Sequence, residues 1–232
     1  MTAAPQPRRV LLVGATGLVG MRVMQECVGR SDTRLIALTR REAPMPKGAR
    51  MEMLVANPAE WDRSIATVAP DAVICALGTT WRKAGGDEAA FRAVDEDLVL
   101  RVAHAARAAG VSHFVLISSV GADMASRAFY LRVKGEVERA LRKPKFHRLD
   151  ILRPGLLRGP RSGERRPGER LAIALSPLTN LVLYGERRRF RAIDARIVAR
   201  AALAGAREKA GGTFVHENDA ILRLERRLDG FG

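Results

Sequence analysis

Tyr130 and Lys134 stand four positions apart in "FYLRVKGEVE", residues 129–138. On a helix that spacing puts both side chains on one face, one turn apart. A phenol titrates near pH ~10, too high for ready proton exchange at neutrality, and an ammonium one turn away favours its ionised form. Such a pair suits general acid–base work on a substrate oxygen. Eleven positions before Tyr130, Ser119 closes the apolar run "HFVLISS". Its hydroxyl, or that of Ser118, would orient the same oxygen. A lone Tyr-x-x-x-Lys is a common chance match. Its place here, on a helix following a serine-terminated strand, is what makes it a catalytic candidate.

A second constellation lies near the start, in "VLLVGATGLVG", Val10–Gly20. An apolar run stops at Gly14, and Gly17 and Gly20 follow with Thr16, Leu18 and Val19 among them. In a strand–turn–helix setting the first glycine permits a tight turn. The second lets backbone approach a pyrophosphate, and the third lets the helix close on the sheet. The helix start adds free N–H groups and the positive end of its dipole. Gly-x-x-Gly-x-x-Gly is weak on its own. The strand before it, the amphipathic helix after it and the next strand on schedule make it a dinucleotide signature.

The next strand ends in "LTRREAP", with Thr39, Arg40 and Arg41 where a carboxylate would bind the ribose of NAD. Arginine suits a 2′-phosphate, so the expected cofactor is NADP(H), with NAD(H) left open. A later strand ends in "CALGTT". Ala76 and Gly78 are small enough for a ligand to cross there, and Thr79 and Thr80 offer hydroxyls.

These residues need a scaffold that brings strand ends together. Strand patterns occur at Val10–Val13, Leu35–Leu38, Glu52–Asn57, Asp71–Gly78, His113–Ser119, Leu149–Pro154 and Gly212–Glu217. Helical patterns occur at Gly17–Gly29, Phe91–Ala109, Phe129–Arg142, Glu169–Tyr184 and Ala195–Ala206, with Asp194 placed to cap the last. Strands alternating with helices predict βαβ units. Apolar runs without alternation predict parallel strands covered on both faces. The expected fold class is therefore α/β, a doubly wound parallel sheet of about seven strands. It forms a single domain over residues 1–232, with residues 155–210 as a small lid or substrate lobe.

The 232 residues, 47% of them hydrophobic, are ample for one core. No apolar stretch approaches a membrane span, and "MTAAPQPRR" has no secretory apolar segment. Cys27 and Cys75 both sit in apolar patterns, which predicts buried thiols in a reducing, cytoplasmic setting. The four histidines show no metal-ligand spacing, so no metal is expected. The net charge of +15 is mostly scattered arginine. Aromatics are only 5% of residues, which gives no stacking platform, so a nucleic-acid partner is not expected. "ERRRFR", residues 186–191, reads as a solvated charge run. Trp61 and Trp81 read as packing residues, with Trp81 close enough to "GTT" to line a cleft.

Together these segments resemble the short-chain dehydrogenase/reductase superfamily, in its atypical branch of Tat-interacting-protein-like oxidoreductases. The resemblance is carried by "GATGLVG" (14–20), "CALGTTWRKAGG" (75–86), "FVLISSVGAD" (114–123), "FYLRVKGEVE" (129–138) and "LRPGLLRGPRSGERRPGE" (152–169). It implies a Rossmann-type fold with Gly14, Gly17 and Gly20 at the pyrophosphate and Arg40 and Arg41 at the 2′-phosphate. Leu77, Gly78 and Thr79 would border the adenosine. It implies a triad of Ser119 (or Ser118), Tyr130 and Lys134, with Lys134 also on the nicotinamide ribose. Pro154, Gly155 and Leu156 would line the nicotinamide. Asp95 falls where related enzymes often carry a proton-relay asparagine, which is a departure. The implied reaction is hydride transfer to or from a small carbonyl or alcohol substrate. The alternative is a non-catalytic NADPH-binding regulator that docks a protein partner. A homodimer is left open.

Overall fold

The computed structural model describes residues 6–159 and 185–231. The chain begins with β1 (Arg8–Val13), α1 (Leu18–Glu26), β2 (Thr33–Thr39), β3 (Glu52–Val55), α2 (Trp61–Val68) and β4 (Ala72–Cys75). There follow α3 (Glu88–Arg92), a π-helical turn at Ala93–Asp97, α4 (Leu98–Ala108), β5 (His113–Ile117), α5 (Phe129–Ala140) and β6 (Arg148–Leu152). The remainder comprises the short β7 (Leu157–Arg158) and β8 (Ile193–Asp194), then α6 (Ala195–Gly205), β9 (Gly212–His216) and α7 (Asn218–Glu225).

Seven strands form one sheet in the order β3-β2-β1-β4-β5-β6-β9, and every pairing is parallel. β4, β5 and β6 are buried along their whole lengths. Such strands must be covered on both sides, and two apolar layers do this. One contains Val10, Leu12, Val23, Met24 and Ile74 with Val198 and Leu203 of α6 and Ile221 of α7. The other contains Leu11, Val13, Val73 and Leu116 with Trp61, Phe91, Val102, Val133 and Val137. The chain winds one way from β1 to β3 and the other way from β4 onward. The crevice between the carboxyl ends of β1 and β4 is therefore the topological switch point, where this architecture takes ligands.

Several boundaries differ from expectation in ways that matter for function. Strands were expected to reach Asn57, Gly78, Ser119 and Pro154; they stop at Val55, Cys75, Ile117 and Leu152. Each is followed at the carboxyl edge by a loop. The expected helix Phe91–Ala109 starts earlier, where the Asp87 carboxylate accepts the N–H of Ala90, and is interrupted by the π-turn. Helices α2 and α7, and the β7–β8 pair, were not anticipated. Both helices are eight residues long and bury only two or three side chains each, which is little periodic signal. The Asp194 cap is present: its carboxylate accepts the N–H of Arg196 at 2.7 Å. α6 lies in the core against α1 rather than over the sheet ends. The helical pattern at Glu169–Tyr184 lies outside the described residues.

Candidate functional site

The glycine turn sits at the switch point. Gly14 has φ +89°, and a Cβ there would lie 2.4 Å from the carbonyl oxygen of Ala76, just beyond β4. A Cβ on Gly20 would lie 2.2 Å from the oxygen of Gly14. The backbone thus closes on itself on two sides, and only hydrogen fits at either position. Gly17 differs: its nearest neighbour would be 3.3 Å away, and the residue is exposed. It is the N-cap of α1, makes no side-chain cap bond and is followed by no acidic residue in the first turn. This is a cradle with donors pointing outward, which fits a pyrophosphate. Thr16 is exposed and Leu18 half-buried, whereas Val19 is buried. The side chain of Val19 belongs to the core, so only its backbone can face a ligand.

At the tip of β2, Thr39 is buried and its hydroxyl has no hydrogen-bond partner among the described residues. Arg40 and Arg41 follow it into solvent, with no ion pair among the described residues. Across the switch point, Gly78 is exposed and Thr79 half-buried.

Tyr130 and Lys134 occupy one face of α5 as expected. Lys134 is 4% exposed and Tyr130 36% exposed, so the lysine is enclosed while the phenol meets solvent. The lysine ammonium lies 6.0 Å from the centre of the Tyr130 ring, and Phe91 meets that ring edge-on at 5.7 Å. α5 is held close to the loop after β5, because a Cβ on Gly135 would fall 2.5 Å from the backbone of Asp123. Asp95, fully buried in the π-turn, sets its Oδ1 2.8 Å from Lys134 Nζ. Its Oδ2 accepts the Thr79 N–H at 2.7 Å. Burial pulls the Lys134 ammonium down, but the Asp95 carboxylate, followed by Tyr130, outweighs it and leaves the lysine above its ordinary range.

The two serines separate clearly. The Ser118 hydroxyl is buried and donates to Glu138 Oε1 at 2.5 Å. Glu138 is the next residue on the Tyr130–Lys134 stripe of α5, and it also receives the Arg153 guanidinium at 2.5–3.1 Å. Ser119 is half-buried, and its hydroxyl makes a 3.3 Å contact with the adjacent Val120 carbonyl. Ser118 is thus committed to the framework, whereas Ser119 is bonded only to its neighbour's carbonyl among the described residues. Ser118→Ala would remove a hydrogen bond to a buried carboxylate and leave Glu138 Oε1, among the described residues, with the Arg153 Nε donor alone. It is expected to lower stability by about 1–3 kcal/mol, read from the urea midpoint at unchanged m-value. The loops after β5 and β6 are stitched together by Ser118 N–H to Leu152 oxygen (2.8 Å) and Val120 N–H to Pro154 oxygen (3.0 Å). Pro154 is therefore buried, Gly155 passes beneath the carbonyl of Arg191, and Leu156 is exposed.

Two features escaped the sequence reading. Glu138 and Arg153 form a buried clamp. Its only signal was an acidic residue four positions after Lys134 on the same helical face. The second is the aromatic group of Trp81, Phe91, Phe129 and Tyr130, with ring centres 5.4–6.5 Å apart. Trp81 is thereby drawn to the Tyr130 end of the site, while Trp61 is buried in the core. In the run 186–191, the carbonyls of Arg188 and Arg191 accept the Asn218 amide, and the side chain of Arg189 lies 3.9 Å from Glu217. Both thiols are free and buried, raised by burial to about 12 for Cys27 and about 11 for Cys75. Among the described residues no cluster of three or more His, Cys, Asp or Glu is placed to hold a metal, and no helix is long and apolar enough to cross a membrane.

Residues 14–171 match the model of a family described as NAD(P)H-binding. The protein HTATIP2 of Rattus norvegicus is 36% identical over 231 residues, 97% of this chain and 92% of that protein. The chain belongs to the atypical short-chain dehydrogenase/reductase superfamily. Within that family it is also similar to the mitochondrial protein fmp52 of Aspergillus niger, 36% identical over 201 residues, 84% of this chain and 85% of the other. Among solved structures, MoeE5 in complex with UDP-glucose and NAD superposes with TM-score 0.67 at 18% identity, covering 96% of this chain and 82% of the other. UDP-glucose 4-epimerase from Brucella ovis in complex with NAD gives 0.68 at 17%, covering 93% and 81%. These distant structures share the fold.

The expectation of a cytoplasmic location is overturned. Fungal relatives at 36–38% identity, from Aspergillus niger, Emericella nidulans and Eremothecium gossypii, are named as mitochondrial and point there instead. The cytoplasmic reading rested on reduced thiols and the lack of a secretory segment. Neither separates the cytosol from another reducing compartment.

Proposed function

We propose that this protein is an NADP(H)-dependent oxidoreductase acting on a carbonyl or alcohol. The observation that carries the reading is the Tyr130–Lys134 pair. A buried ammonium and a solvent-facing phenol stand one turn apart on a helix clamped beside the switch-point crevice. Gly14, Gly17 and Gly20, with Thr16 and the backbone of Leu18 and Val19, hold the pyrophosphate. Leu77, Gly78 and Thr79 border the adenosine, and Lys134 holds the nicotinamide ribose. Pro154, Gly155 and Leu156 flank the nicotinamide. When bound, the cofactor supplies or accepts hydride; the protein contributes position and electrostatics. Ser119 orients the substrate oxygen, and Tyr130 passes its proton to or from that oxygen. The aromatic wall at Trp81, Phe91 and Phe129 borders the substrate beside Tyr130.

The preference for NADP(H) rests on Arg40 and Arg41, whose guanidinium groups are free to take a 2′-phosphate in charge-assisted hydrogen bonds. Arg40→Ala is expected to weaken NADPH binding by about 10–100-fold and to leave NADH binding nearly unchanged, measured by calorimetric titration. Equal losses for both dinucleotides would remove Arg40 from the phosphate subsite. Failure of the wild type to bind either would end the reading.

A further inference from the structure

The π-turn at Ala93–Asp97 interrupts an otherwise continuous helical run and carries a carboxylate that no water reaches. π-turns of this kind are uncommon and cluster at functional positions. Asp95 uses it to touch two segments on the β4 side of the cofactor crevice, the loop after β4 and helix α5. One oxygen accepts the backbone N–H of Thr79, in the loop after β4, at 2.7 Å. The other meets Lys134 Nζ, on α5, at 2.8 Å. Gly78 passes directly over the pair: a Cβ there would lie 3.6 Å from Asp95 Oδ1 and 3.9 Å from Lys134 Nζ. A side chain that joins the loop after β4 to α5 is well placed to make these two segments act together.

An asparagine would not do this equally well. Its one carbonyl oxygen can serve either the Thr79 N–H or the ammonium, and its amide nitrogen would point two hydrogens at the other donor. It would also leave Lys134 buried with no counter-charge, where desolvation favours the neutral amine.

We propose that Asp95 is a positioning residue for the dinucleotide: it keeps Lys134 charged inside the protein and ties that charge to the Thr79 loop, so that the adenosine and nicotinamide halves of the site are set by one carboxylate. The proposal rests on the cofactor reading given above and adds to it the residue that sustains Lys134 as a ribose-binding cation. Among the described residues, the ionisable groups facing Lys134 are Asp95 from the π-turn, Tyr130 from its own helix and Cys75 from β4. Of these, Asp95 is the carboxylate in contact with it. Asp95 and Tyr130 hold the lysine above its ordinary range against the effect of burial, the balance expected of an ammonium that must stay charged.

The test is NADPH binding by the purified full chain, followed by calorimetry from about pH 7 to about pH 9.5, below the ordinary lysine range. Wild-type affinity is expected to stay level within about threefold. In Asp95→Asn the lysine loses its counter-charge and burial takes over, so its folded-state pKa falls. Affinity should then decline by about tenfold or more as pH rises across the window, because the cation is progressively lost. A purely structural role for Asp95 would weaken binding equally at every pH. Parallel profiles for wild type and variant therefore overturn the proposal while leaving the cofactor reading intact; no NADPH binding by the wild type overturns both. Since an unpaired buried ammonium can unfold the chain, Asp95→Asn/Lys134→Met is made alongside. With both charges removed it is expected to fold and to bind NADPH about tenfold more weakly than wild type, without a pH slope. Wild-type affinity in this double variant also overturns the proposal.

Discussion

Tyr130→Phe is expected to abolish turnover while leaving the cofactor in place. The ring remains, so the edge-on contact with Phe91 and the lysine stacking are kept. What is lost is one hydroxyl, the group proposed to move a proton at the substrate oxygen. Removing a positioned acid–base group commonly costs about 10²–10⁴-fold in rate. NADPH affinity should change by less than about threefold, because the phenol is not assigned a contact with the dinucleotide. The measurement is NADPH oxidation across a panel of carbonyl compounds, paired with direct titration of the cofactor. Turnover that survives the substitution would take Tyr130 out of the mechanism. A panel on which even the wild type is silent, with tight NADPH binding, would favour a regulator over an enzyme.

Gly14→Ala is expected to have the largest effect on the fold. Its φ of +89° is one an alanine adopts only with strain. The added methyl would also lie 2.4 Å from a backbone oxygen at the end of β4, and backbone cannot swing aside as a flexible side chain can. Overpacking and strain together predict a loss of about 3 kcal/mol or more, near 10 °C in melting temperature for a chain of this size. NADPH binding should disappear with it, since relief can come only by opening β1 from β4 at the crevice. Gly17→Ala is the control: at 3.3 Å from its nearest neighbour a methyl needs only a small adjustment. A Gly14→Ala variant with native melting would mean that the turn is looser than its geometry implies.

The parallel sheet was legible because its central strands are continuous apolar runs alternating with helical patterns, as strands covered on both faces must be. The glycine turn was legible from its place between an apolar strand and an amphipathic helix, and the shared face of Tyr130 and Lys134 from their four-residue spacing. What stayed hidden depends on contacts between distant segments. Asp95 read as a departure from a familiar asparagine; that it joins Thr79 to Lys134 required the π-turn, and helical periodicity carries no mark of a π-turn. Ser118 and Ser119 were indistinguishable in sequence, because what separates their surroundings is Glu138, twenty residues on, and Arg153 from another strand end. Compartment was misread because the residues used to infer it report redox state and secretion, not address.

The two cysteines fall on opposite sides of the sheet. Cys27 is embedded in the layer beneath α6 and α7, and Cys75 in the layer beneath α4 and α5. Each sulfur is shielded by its own slab and disarmed by its surroundings, so neither can be alkylated until that slab lifts. The molecule thus carries one chemical tell-tale per layer, able to say which half of the sandwich opens first when the chain breathes.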